Sequence, residues 1–92
     1  MKEIILSADG DSVVYLVPDV VAENLREYCI EFSYNWQTLL PGAKYFDESD
    51  FIRYLNERVF PDQKSVLLKN LGYRDCGQRL PRKYRNHPNF NF

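Results

Sequence analysis

The stretch Lys2–Val17 reads KEIILSADGDSVVYLV, and its reading decides the class of fold. Two runs rich in Ile, Val, Leu and Tyr, Lys2–Ser7 and Ser12–Val17, flank the tetrapeptide Ala8-Asp9-Gly10-Asp11. Asp-Gly favours the positive backbone angles of a tight hairpin turn, and β-branched and aromatic residues suit a half-buried pleated surface. The stretch therefore predicts a β-hairpin. A lone hairpin is marginal in water, so helices or a further strand must cover it.

Those helices are legible just downstream. Pro18 suits a first helical turn and Asp19 adds a favourable negative charge there. Val21, Leu25, Tyr28, Cys29, Phe32 and Trp36 then recur at steps of three and four, forming a stripe about 100° wide on a helical wheel. This predicts a helix over 19–36, ended by Leu40-Pro41-Gly42. Lys44–Phe46 reads as a candidate third strand. Residues 47–60, DESDFIRYLNERVF, predict a second helix, capped by Asp47 or Ser49, with Phe51, Ile52, Leu55 and Val59 on its core face. Residues 61–72, PDQKSVLLKNLG, suit either a helix or a buried strand. Pro61-Asp62 at the start, the spacing of Val66, Leu67 and Leu71, and Gly72 as a left-handed cap favour the helix. From Arg74 onward no periodicity is visible, and the chain reads as an extended segment.

The expected architecture is a single α+β domain over residues 1–92. A small antiparallel sheet, the N-terminal hairpin with a candidate third strand, packs on two or three helices, and an extended C-terminal segment completes it. The chain is 45% apolar and 15% aromatic, which describes a globular protein. At 92 residues the core is small, so the aromatics of the tail are needed inside it. The N-terminal apolar run, Ile4–Leu6, is shorter than a signal-peptide core, and no run approaches the ~18 residues that span a bilayer. The expectation is a soluble cytoplasmic protein with no membrane association. Its two cysteines, Cys29 and Cys76, are expected to be free thiols in a reducing compartment.

Charge is divided along the chain. Residues 1–62 hold five Lys/Arg against twelve Asp/Glu, a net of −7. Residues 63–92 hold seven against one, a net of +6, and the total is −1. Within the acidic part, Asp19, Glu23, Glu27 and Glu31 recur every four residues on the expected first helix. Like charges at that spacing cost a few tenths of a kcal/mol per pair. Val20, Ile30 and Tyr34 fall on the same side of the wheel. Apolar residues inside an acidic field suit a partner surface, with the carboxylates as its rim. The candidate partner-binding residues are therefore Glu23, Glu27, Ile30, Glu31 and Tyr34, and the expected partner is another protein with a basic surface. Two competing readings of the ladder are a solvated helix face and a dock for the chain's own basic tail.

No cofactor, metal or phosphate-cradling motif is present: the spacings CxxC, HxxxH and HExxH are absent and the glycines are dispersed. A non-enzymatic interaction domain is the leading expectation, an inhibitor or immunity-like module. Compact acidic proteins of this kind resemble, in style only, immunity proteins that neutralise toxins and phage-encoded nuclease inhibitors. One alternative is binding of single-stranded nucleic acid through Arg79, Arg82, Lys83 and Arg85 with Tyr84, since cations interleaved with aromatics suit stacked bases. The other is a small cysteine-dependent enzyme, with Cys76 between Arg74 and Arg79 as nucleophile and His87 as base.

Overall fold

The computed structural model describes residues 1–8, 10–39, 42, 46–73 and 80–92. Strands β1 (Lys2–Ser7) and β2 (Asp11–Val17) form the expected hairpin, pairing antiparallel from Lys2 with Val17 to Leu6 with Val13. Asp9 of the turn and Lys44 and Tyr45 of the candidate third strand lie outside the described residues.

The expected first helix is two helices. Helix α1 (Asp19–Glu23) stops at Asn24, whose side chain donates to the Val20 carbonyl at 3.0 Å and competes with continued helix. Helix α2 (Leu25–Leu39) begins at once and runs past Trp36. Helix α3 (Glu48–Tyr54) starts on a capping box. The Asp47 carboxylate accepts from the N–H groups of Ser49 and Asp50, and the Asp50 carboxylate accepts from the Asp47 N–H. It continues as a π-helical turn over Leu55–Val59.

Residues 61–72 do not form the expected helix. They lead into strand β3 (Val66–Tyr73), antiparallel to β2. The register explains the misreading. Two irregularities leave Leu68 and Leu71 without a residue opposite, so the β2 partners on one face are Leu67, Asn70 and Tyr73, and on the other Val66, Lys69 and Gly72. Each bulge adds a residue and stretches the repeat of a face from two to three, close to a helical period. Gly72, at φ +81, does adopt the left-handed conformation, but inside a bulged strand rather than at a helix end. Its N–H donates to the Asn70 side chain at 2.7 Å.

The C-terminal segment folds back as expected. A 3-10 turn (Arg82–Tyr84) precedes strand β4 (Asn89–Asn91), which pairs parallel to β1, Ile5 with Asn89 and Ser7 with Asn91. The sheet is therefore mixed rather than purely antiparallel, in the order β3-β2-β1-β4. The fold is a small α+β fold.

Alternation along β1 and β2 divides the interior. Ile4, Leu6, Val13, Tyr15 and Val17 face the helices, where they meet Val21, Leu25, Cys29, Phe32, Phe51 and Leu55. Ile5 and Val14 face the other way and are covered by Tyr84, with Leu71 and Leu80 at the margin. The last residue completes the larger core. The Phe92 ring stands 5.5 Å from Phe51 and 5.6 Å from Phe46, and the Phe92 N–H donates to the Ser7 carbonyl at 2.8 Å.

Candidate functional site: the outer face of α2

Each acid of the ladder has its own setting. Asp19 accepts from the terminal amino group at 2.8 Å, and that hydrogen bond holds its carboxyl below the ordinary range. Glu23 accepts from Lys2 at 3.1 Å, and this hydrogen bond with the attendant charge holds the Lys2 ammonium above its ordinary range. Among the described residues, Glu27 and Glu31 have no ion-pair partner. The break at Asn24 also separates α1 from the wheel of α2, so Val20 no longer shares one helical face with Ile30 and Tyr34. What remains contiguous on α2 is Glu27, Ile30, Glu31 and Tyr34. Ile30 is half-buried, and Tyr34 is 84% exposed.

A shallow depression of about 290 Å³ adjoins this face, lined by Glu31, Asn35 and Thr38 of α2 and by Tyr54 of α3. The Asn35 side chain donates to the Glu31 carbonyl at 2.8 Å, which fixes the amide on the helix surface. Burial, and then the charge of Glu31, pushes the Tyr54 phenol up, so it stays a protonated donor beside the acid. Sequence reasoning missed Asn35, Thr38 and Tyr54. The first two follow Glu31 at steps of four and three, a spacing that was available to read. Tyr54 reaches the site only through the packing of α3 on α2.

Among the described residues, the cations of the C-terminal segment do not cover this face. Tyr84 is buried against Ile5 and Val14, on the side of the sheet away from the helices. Arg82, Lys83 and Arg85 surround it and are exposed. Arg85 Nε donates to the Leu80 carbonyl at 3.1 Å, and Lys83 Nζ lies 5.4 Å from the centre of the Tyr84 ring. None of the three forms an ion pair with an acid among the described residues. The competing reading, a dock for the chain's own basic tail, therefore does not hold for these three residues: Tyr84 anchors them across the sheet. Arg74 and Arg79 lie outside the described residues.

The features of the two alternative readings are also placed in part. Tyr84 is only 6% exposed, and Phe90 and Phe92 meet edge to face with centroids 5.0 Å apart at the core margin. Burial leaves Tyr84 no open face on which a base would stack. Cys76 lies outside the described residues. His87 sits 3.4 Å from Glu3 and edge-on to Tyr84. Cys29 is a free, buried thiol pushed up to about 12 by desolvation, which makes it inert packing rather than a nucleophile. Among the described residues no helix is long and apolar enough to cross a membrane. Comparison with family models, with curated proteins and with solved structures finds no match to this chain.

Proposed function

We infer that this domain is a non-enzymatic binding module, of the inhibitor or immunity type, whose outer α2 face receives a basic surface of another protein. The observation that carries the reading is the openness of that face. Glu27 and Glu31 are exposed with no cation of the described chain paired to them, and Tyr34, on the same helix, is exposed as well. Unpaired carboxylates steer a cationic partner and raise its association rate. An exposed tyrosine beside them offers the large, rigid contact typical of binding hot spots. The depression at Glu31, Asn35, Thr38 and Tyr54 gives room for one cationic side chain, with Glu31 as its counter-charge.

The test uses charge reversal and truncation separately. Proteins captured by the wild-type domain would be identified by mass spectrometry, and the strongest binder purified for calorimetry against Glu27→Lys/Glu31→Lys and Tyr34→Ala. The double reversal is expected to weaken binding at least tenfold and to flatten its salt dependence. Tyr34→Ala is expected to raise the dissociation rate. Equal binding by wild type and double reversal would overturn the reading.

A further inference from the structure

We propose that the depression between α2 and α3 selects arginine over lysine, so that one guanidinium of the basic partner anchors the α2 interface. The inference rests on the reading of that face given above and names the side chain that the depression takes. A volume of about 290 Å³ stands at the small end of the roughly 300–1,000 Å³ usual for small-molecule sites, which suits a single side chain. The lining is rich in acceptors. Glu31 brings two carboxylate oxygens, and Asn35, Thr38 and Tyr54 bring one oxygen each. Asn35 Nδ2 is held by the Glu31 carbonyl at 2.8 Å, so Oδ1 is the free end of that amide. Among the described residues no hydrogen bond reaches any of these side-chain oxygens. Glu31, Asn35 and Thr38 follow at steps of four and three along one side of α2, and Tyr54 closes the set from α3.

The chemistry of the two cations decides between them. A guanidinium carries five N–H donors in a planar fork, has no acceptor and is weakly hydrated. The fork meets the Glu31 carboxylate in a paired contact, and the remaining N–H groups have the neutral oxygens beside it as acceptors. An ammonium has three donors and a tightly held water shell, so Glu31 and water satisfy it and the neutral oxygens add little. Charge attracts both cations, and the neutral oxygens discriminate. The other charges around the depression leave it open to a cation. Glu27 lies one turn before Glu31 on α2 and adds a second carboxylate. Across from them, Arg53 is engaged by Glu57 at 3.9 Å. Arg58 follows Tyr54 by one turn, and its charge opposes that of Glu31 at the Tyr54 phenol. It is exposed and forms no ion pair with Glu31, so the two acids of α2 outweigh it.

The full chain would be titrated with acetyl-Gly-Arg-Gly-amide and followed at the Asn35 side-chain amide by nuclear magnetic resonance. Saturation is expected at about 1–10 mM, the range of a single side chain on an open site. Acetyl-Gly-Lys-Gly-amide is expected to bind several-fold more weakly. So is the dimethylated arginine peptide, which keeps the charge but blocks the paired contact. Thr38→Val and Tyr54→Phe each remove one neutral oxygen without changing charge, and Phe keeps the ring that meets Phe32 at 5.4 Å. Both are expected to narrow the gap between arginine and lysine, whereas Glu31→Gln weakens both peptides. No saturation at Asn35, equal binding of the two peptides, or a preference that the Thr38→Val/Tyr54→Phe double variant keeps in full would overturn the proposal. So would arginine binding that appears only in Arg58→Gln, since Arg58 would then be the occupant. The protein partner separates this inference from the reading beneath it. If Glu27→Lys/Glu31→Lys weakens the partner and Thr38→Val/Tyr54→Phe does not, the reading stands and the arginine anchor falls. If the charge reversal has no effect, both fall.

Discussion

Asn56 acts as a strand partner for Ser65. Its Oδ1 accepts from the Ser65 N–H at 2.6 Å, and its Nδ2 donates to the Ser65 carbonyl at 3.0 Å. The pair joins the π-helical turn to the start of β3, one residue before pairing with β2 begins at Val66. Ser65 is buried, and its own hydroxyl has no partner among the described residues. The side-chain amide therefore satisfies backbone groups that water cannot reach. Asn56→Ala leaves both unpaired, at about 1–3 kcal/mol for each buried group. The expected outcome is a lower urea midpoint with an unchanged slope. Asn56→Asp, which keeps the acceptor alone, should fall between the two.

The tail contributes to stability through its last ring. Phe92 meets Phe32, Phe46, Phe51 and Phe90 with centroids 5.0–6.2 Å apart. Full truncation of a core phenylalanine costs about 3–5 kcal/mol, and Phe92 is half-buried, so Phe92→Ala is expected to cost roughly half of that. Thermal unfolding checks it. A melting temperature equal to that of wild type would mean that the segment is held by β4 pairing alone.

Alkaline pH should unfold this protein from two buried acids. Tyr15 is pushed up to about 12, by burial first and then by the charges of Glu48 and Asp47. Cys29 is pushed up to about 12 by burial. Both groups keep their protons in the fold beyond the point where the unfolded chain releases them, at 9.0 for the thiol and 10.0 for the phenol. The unfolded chain then binds fewer protons, so stability falls as pH rises. The contribution is complete below about pH 9 and is lost progressively toward pH 12. Urea midpoints measured across that window should decline for wild type and decline less for Tyr15→Phe.

The same burial makes Cys29 unreactive. In a Cys76→Ser background a thiol reagent at neutral pH should modify the native chain only as fast as it opens, and the unfolded chain at once. Stopped-flow absorbance with and without urea reads the difference. Immediate modification of the native chain would contradict the burial of Cys29 on the inner face of α2.

Local signals made the hairpin, the capped α3 and the amphipathic stripe of α2 legible from residues alone. Asp-Gly between β-branched runs, Asp47 ahead of an apolar repeat, and steps of three and four are properties of short windows. The acidic ladder was legible for the same reason, and so was the inward packing of Phe90 and Phe92, from their shared face and the size of the core. Tertiary structure decided what depends on distant partners. Strand β3 forms because the free edge of β2 takes it, and its two bulges give it a spacing that resembles a helix. Tyr84 carries the tail cations across the sheet because Ile5 and Val14 need cover there. No local pattern encodes either choice. The openness of Glu27 and Glu31 follows from where the tail packs, so the sequence determined the charge of that face and the fold determined that it is exposed.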